Sequence, residues 1–127
     1  LRGGFLLSID GAHAVHPNYT NKSDITNDVI LGKGITVKTS ASQRYLSDSE
    51  ATAVVMQLCK KTDIPYQVQV NRSGMPGGQT LGPIVVSYLP MQGADIGIPM
   101  LAMHSARELA DMRDYQALVM FLKIFSA

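Results

Sequence analysis

The sequence has few cysteines, no long apolar run and no large excess of either charge, and each of these absences excludes a class of protein. Cys59 is the single cysteine, so neither an intrachain disulfide nor a cluster of cysteine metal ligands can form within the chain. The longest apolar runs fall well short of the roughly 18 residues that a membrane-spanning helix needs. Neither sign of charge is in excess, since 11 basic and 10 acidic side chains leave a net charge of +1. The sequence therefore predicts no membrane span and no electrostatic surface for nucleic acid.

The amino end of the sequence bears on where the protein is located and on whether the polypeptide is whole. Residues 1–7 have neither the basic region nor the cleavage site of a secretory signal peptide, and the single cysteine fits a reducing compartment without requiring one. The chain starts at Leu1 rather than at methionine and runs almost at once into a strand-like segment. We therefore expect a truncated, processed or split polypeptide, long enough at 127 residues for one domain with a core of its own.

Strand-like segments alternate along the chain with segments of helical periodicity. Strands are predicted at residues 5–9, 35–39, 66–70 and 94–98. Helices are predicted after a capping box formed by Ser47 and Glu50, over residues 81–89, and from about 115 to 125. This alternation predicts an α/β fold. Residues 13–34 have no clear period, and such a long irregular segment is typical of one that lines a site or an interface.

Side chains that bind metals follow two of the strand-like segments. Asp10 ends the first strand and is followed by His13 and His16, and His104 lies in a loop after a later strand. Ligands often lie at strand ends in α/β sheets, and aspartate and histidine are preferred zinc ligands. The local pattern alone favours the simpler explanation, an Asp-Gly turn with structural histidines.

Three other features have simple structural explanations. Lys38 and Arg44, taken alone, are predicted to be solvated charges at a strand edge. The glycine-rich loop at residues 72–79 could hold an anion at the start of the next helix, but it matches no phosphate-binding motif, so turn roles are favoured. Cys59 lies on the apolar stripe of the first helix and is predicted to be a small core residue.

Four segments, in order, resemble the aspartyl aminopeptidase family of di-zinc metallopeptidases. They are SIDGAHAVHPNY (8–19), VKTSASQRY (37–45), MPGGQTLGP (75–83) and DIGIPMLAMHSARE (95–108). The resemblance covers nearly the whole chain from Ser8 onward, and the first and last segments are very specific. It implies a zinc-peptidase-like α/β fold with a mixed sheet flanked by helices. Residues 1–127 would be the C-terminal portion of this catalytic domain, with the upstream half absent from the chain.

The same resemblance implies roles for four residues. Asp10 matches a ligand of one zinc ion, and His104 matches a ligand of the other. His13 matches a residue that contacts the substrate or the transition state, and Lys38 matches a lysine of the substrate pocket. The general-base glutamate, the glutamate next to it that binds zinc, the bridging aspartate and a further histidine have no counterpart here and are expected upstream. The chain alone is therefore expected to be inactive.

The resemblance implies a cytoplasmic metalloaminopeptidase, a hydrolase that uses two zinc ions to remove acidic N-terminal residues from peptides. It also implies a large homo-oligomer. The expected partners are peptide substrates and the missing N-terminal segment of the same enzyme, and neither nucleic acid nor a membrane is expected. The alternative is a non-catalytic remnant or assembly subunit that keeps the fold for oligomer contacts. An adjacent glutamate pair encoded upstream would favour the enzyme, and its absence would favour the alternative.

Overall fold

The computed structural model describes residues 3–24, 26–71 and 78–127. Helices and strands alternate along these residues, which confirms the predicted α/β class. The elements are β1 (Phe5–Ile9), β2 (Ala12–His13), β3 (Ile35–Thr39), α1 (Ser49–Lys61), β4 (Tyr66–Val70), α2 (Leu81–Tyr88), β5 (Gln92–Gly97), β6 (Pro99–Leu101), β7 (Leu109–Ala110) and α3 (Met112–Phe125). No helix in the described ranges is both long enough and apolar enough to cross a membrane.

The central sheet has four strands in the order β1-β5-β3-β4. The pairs β1–β5 and β3–β4 are parallel, whereas β3 and β5 are antiparallel, so the sheet is mixed, as expected. Strands β2, β6 and β7 form a smaller second sheet. Because β3 has a neighbour on each side, the expectation that Lys38 is a solvated edge charge is wrong. Lys38 is only 3% exposed.

The two faces of the central sheet differ in chemistry, because alternate residues of a strand point to opposite sides. One face is apolar and packs against α1 and α3. Its buried core contains Ile35, Val37, Ala51, Val55, Cys59, Ala94, Ile96, Ala117 and Phe121. The core position predicted for Cys59 is thus confirmed. The other face carries polar side chains, and α2 lies against β1 and β5 on this side, with Gly82 close to the carboxylate of Asp95.

The start of α1 differs from the prediction. Asp48, not Ser47, is the N-cap residue, and its side chain accepts a hydrogen bond from the Ala51 amide at 2.7 Å. The Ser47 hydroxyl instead accepts a hydrogen bond from the Asp95 amide at 2.8 Å. The predicted Ser47–Glu50 capping box is therefore wrong, because a long-range contact with β5 engages the serine.

The other predicted elements shift by a few residues at most, whereas the short strands β2, β6 and β7 were not predicted. β5 starts two residues before the predicted strand, α2 ends one residue before the predicted helix, and α3 starts at Met112. Most of the glycine-rich loop, residues 72–77, lies outside the described residues. The irregular stretch from 13 to 34 contains the end of β2 and a 3-10 turn at Thr20–Lys22.

Candidate active site

Asp10 lies just beyond the carboxyl end of β1. Its amide donates to the Ile96 carbonyl at 3.0 Å, which continues the pairing of β1 with β5. Its Oδ1 accepts a hydrogen bond from the Gly11 amide at 2.8 Å, as expected of an Asp-Gly turn. The side chain is nevertheless exposed, so the carboxylate is accessible to a ligand.

His104 lies in the loop that follows β6. Ala102 and His104 have φ angles of 54° and 69°, the left-handed region that non-glycine residues seldom adopt. The carboxylate of Glu108 accepts a hydrogen bond from the His104 amide at 2.6 Å, and the Ser105 amide donates to the Ala102 carbonyl at 3.0 Å. Such conformations cost about 1–3 kcal/mol each and concentrate at functional sites. The loop thus holds an exposed imidazole in an unusual backbone conformation.

His13 is brought to the same region by the second sheet. It pairs with Met100 of β6, only four residues before His104. Partial desolvation lowers the pKa of His13, and the positive charges of Lys38 and His104 lower it further, against the opposing effect of Asp10. His13 therefore lies within electrostatic reach of all three of the other predicted site residues.

Lys38 is a buried positive charge in the middle of the sheet. Burial lowers the pKa of its ammonium group, and the carboxylates of Asp10 and Asp95 oppose this effect. The Nζ atom lies 5.7 Å from the centre of the Tyr45 ring. Within the described residues it makes no hydrogen bond or salt bridge. The structure thus gathers all four predicted residues, Asp10, His13, Lys38 and His104, into one electrostatically connected region.

A cavity of about 330 Å³ opens beside His13. Tyr45, Gln69 and Met100 are among the residues that line it. The sequence analysis did not identify Tyr45 as a site residue, although it lies in one of the four segments on which the resemblance rests.

Asp95 is a second residue that the sequence analysis missed. It is fully buried in β5 and directly opposite Lys38 in the pairing of β5 with β3. A carboxylate within the otherwise apolar run from residue 93 to residue 98 is a signal that could have identified it, since buried polar groups require partners.

The side chains of Asp10 and His104 are of the types that bind zinc, but they are too few to form a complete zinc site. The carboxylate of Asp10 and the imidazole of His104 are both common zinc ligands. Among the described residues, however, no three histidine, cysteine, aspartate or glutamate side chains lie together as a metal ion would require. A complete site would therefore need further ligands from outside these residues.

Comparison with known proteins identifies the family. Residues 2–126 match the family described as aminopeptidase I zinc metalloprotease (M18). The chain belongs to the M18 family. The resemblance to aspartyl aminopeptidases drawn from the four segments is thereby confirmed.

Individual M18 relatives agree with this assignment. The chain is 50% identical over 115 residues to a probable M18 family aminopeptidase 2 of Clostridium novyi, an alignment that covers 91% of the chain. It superposes with a TM-score of 0.92 and 37% identity on a chain of the Ape4 and Nbr1 complex, over 95% of its length and 23% of that chain. The S. cerevisiae mApe1 dodecamer gives a TM-score of 0.86 at 25% identity, over 98% of this chain and 27% of the other.

The chain is much shorter than these M18 proteins. It spans 27% of the length of the Clostridium novyi relative and 30% of a probable M18 family aminopeptidase 2 from Pseudomonas savastanoi. The described site is therefore compared with only part of each relative.

Proposed function

We propose that the complete protein is a zinc-dependent aminopeptidase and that this chain supplies the C-terminal portion of its catalytic domain. The observation that carries the proposal is the match of residues 2–126 to the M18 zinc metalloprotease family. It is supported by the meeting of Asp10, His13, Lys38 and His104 in one region. A cytoplasmic location is part of the same proposal.

Two of these residues would hold the metal. Asp10 would bind one zinc ion and His104 the other, each completed by ligands from outside this chain. When bound, zinc supplies Lewis-acid chemistry that polarises the scissile carbonyl and lowers the pKa of a water molecule. The general-base glutamate would also come from outside the chain.

His13 would act on the substrate rather than on the metal. Its lowered pKa favours the neutral imidazole, which still carries one N–H donor. Such a donor can stabilise the negative charge that develops on the carbonyl oxygen during peptide hydrolysis. The cavity beside His13 offers space for the peptide.

Lys38 would select acidic N-terminal residues. Its ammonium group is buried, and it lacks a hydrogen-bond or salt-bridge partner in the described part of the chain. A buried charge without a partner is costly, so a substrate carboxylate that approaches it gains a strong interaction. This environment supports a preference for N-terminal aspartate or glutamate.

The complete protein would work as a homo-oligomer. A relative of 25% identity is described as a dodecamer. In this chain α2 exposes large apolar side chains, with Leu81 73% and Tyr88 82% exposed. These two residues lie two helical turns apart on one face, and exposed apolar surface is typical of protein contact sites.

The test uses the complete protein, purified with zinc and then stripped with a chelator. We expect it to hydrolyse Asp-, Glu- and Leu-anilides, to lose this activity when stripped, and to regain it when zinc is returned. Metal content and oligomeric mass are measured on the same samples. A zinc-loaded, folded oligomer without hydrolysis would contradict the proposal and favour the non-catalytic assembly subunit.

A further inference from the structure

A row of four polar side chains crosses the whole central sheet. Ser8 of β1 lies opposite Asp95 of β5, Asp95 lies opposite Lys38 of β3, and Lys38 lies opposite Gln69 of β4. Residues directly opposite one another point to the same face of a sheet. The row therefore places Asp95 beside Lys38 on the polar face, next to the candidate active site.

The carboxylate of Asp95 binds two segments that pack on this face. Its Oδ2 accepts a hydrogen bond from the Leu46 amide and another, at 2.8 Å, from the hydroxyl of Thr80. Thr80 is the N-cap of α2, yet its side chain makes no capping hydrogen bond. The hydroxyl is thus used to bind Asp95 rather than to cap the helix.

The start of α2 is also shaped around this carboxylate. A β-carbon at Gly82 would lie 3.1 Å from both oxygens of Asp95, so glycine allows the helix to approach closely. The positive end of the helix dipole stabilises a negative charge at this position. Asp95 Oδ1 has no hydrogen-bond partner among the described residues. One oxygen of Asp95 is therefore engaged by Leu46 and Thr80, and the other has no hydrogen bond among the described residues.

Asp95 is connected both to Lys38 and to Tyr45, which lines the cavity beside His13. It lies directly opposite Lys38, and it holds the Leu46 amide, the first backbone group after Tyr45. The Tyr45 ring in turn faces the Lys38 ammonium at 5.7 Å. Asp95 thus binds the backbone next to Tyr45. It also lies beside Lys38, whose ammonium group the Tyr45 ring faces.

We propose that Asp95 is a positioning residue that, by holding the Leu46 backbone, keeps the Tyr45 ring beside the Lys38 ammonium in the arrangement that selects acidic N-terminal residues. This inference rests on the proposed function, because it assigns Asp95 a part in the selectivity of that same site. Because Asp95 is fully buried, it would act through its neighbours.

The test compares wild type and Asp95→Asn in the complete, zinc-loaded enzyme. For Asp- and Leu-anilides, kcat and KM are measured separately. The asparagine keeps the size of the side chain but removes its charge, and it offers one acceptor oxygen. We expect the ratio of kcat/KM for Asp-anilide to that for Leu-anilide to fall by about 10- to 100-fold, mainly through a higher KM for Asp-anilide.

Asp114→Asn is the matched control. Asp114 is also fully buried and accepts two backbone hydrogen bonds, both at 2.7 Å, from Gly32 and Gly34. Gly34 directly precedes β3, four residues before Lys38, so these contacts lie away from the ammonium group. The control should lower the thermal midpoint without changing the selectivity ratio. A similar loss of selectivity in both variants would overturn the inference, because any buried substitution would then produce it.

Thr80→Val provides a second test of the role of Asp95 if the Asp95→Asn variant does not fold. It removes one donor to Asp95 at nearly constant volume and removes no capping bond from α2. We expect a smaller fall of the selectivity ratio, by about 3- to 10-fold. With Asp95→Asn unfolded, a folded Thr80→Val enzyme of wild-type selectivity would overturn the inference.

Failure of the inference can be told from failure of the proposed function. If Lys38→Met loses the acidic preference while folded Asp95→Asn keeps it, Asp95 has no positioning role and the proposed function stands. If the wild-type enzyme shows no preference for Asp-anilide, the proposed selectivity is wrong, and the inference fails with it.

Discussion

Lys38 combines burial, positive charge and a position next to an aromatic ring. An isolated buried charge costs folding free energy unless another charged group stabilises it. Its neighbours include the carboxylates of Asp10 and Asp95, which favour the charged form. At the scale of single residues, Lys38 is therefore the best candidate for recognition of a substrate carboxylate.

Replacing Lys38 by methionine tests this role in the complete enzyme. An ion pair with a partly desolvated carboxylate is worth about 2–4 kcal/mol. We expect Lys38→Met to cut kcat/KM for N-terminal Asp or Glu by about 30- to 1000-fold, and to affect Leu or Ala substrates much less. Lys33→Met, at an exposed lysine, is the charge-matched control. An equal loss on acidic and neutral substrates would instead assign Lys38 to general catalysis or to an oligomer contact.

His104→Ala tests the proposed metal ligand. The imidazole is exposed and lies in a loop, so its loss should cost little stability, within about 0.5 kcal/mol in the absence of metal. We expect the complete enzyme to keep its circular dichroism spectrum while losing bound metal and activity. A variant with full activity and full metal content would show that His104 is not a ligand.

At the scale of elements, the loop before β3 is held by α3. Asp114 lies in the first turn of α3 and accepts hydrogen bonds from the amides of Gly32 and Gly34. Gly34 has a φ of 97°, and a β-carbon there would overlap the Pro65 carbonyl, so only glycine fits. This contact ties α3 to the loop that precedes β3.

Asp114→Asn should destabilise the fold. An amide side chain offers one acceptor oxygen, so one buried backbone N–H would face a donor instead. We expect a loss of about 1–3 kcal/mol in the free energy of unfolding, measured by urea denaturation of the chain followed by circular dichroism. Asp63→Asn, at an exposed residue with a φ of 55°, should be nearly neutral because asparagine tolerates this conformation. Equal stability of the two variants would show that the Asp114 contacts contribute little.

At the scale of the whole molecule, the described residues bring no three possible metal ligands together. Asp10 and His104 would serve different ions, and a catalytic zinc site takes about three protein ligands. We expect the 127-residue chain to bind divalent metal weakly and to show no aminopeptidase activity. The chain is assayed on Asp- and Glu-anilides with added zinc, manganese or cobalt. Robust turnover that a chelator abolishes would contradict this prediction.

Much of the architecture follows from local sequence patterns. A short apolar run predicted β1, and the alternation of apolar and polar residues predicted β3 and β4, all three with their observed bounds. The four family-like segments predicted the mixed α/β fold and the M18 assignment. The roles of Asp10, His13, Lys38 and His104 in binding and catalysis remain predictions.

Tertiary structure decided what local patterns could not. Lys38 has the pattern of an edge charge, and only the strand order placed it in the sheet interior. Ser47 has the pattern of a helix cap, but its hydroxyl bonds to Asp95, 48 residues away. Both outcomes depend on contacts between residues far apart in sequence, which the local side-chain period does not specify. The sequence by itself therefore determined β1, β3 and β4 and the family to which the chain belongs, whereas the pairing of β3 with β5 decided that Lys38 and Asp95 are neighbours.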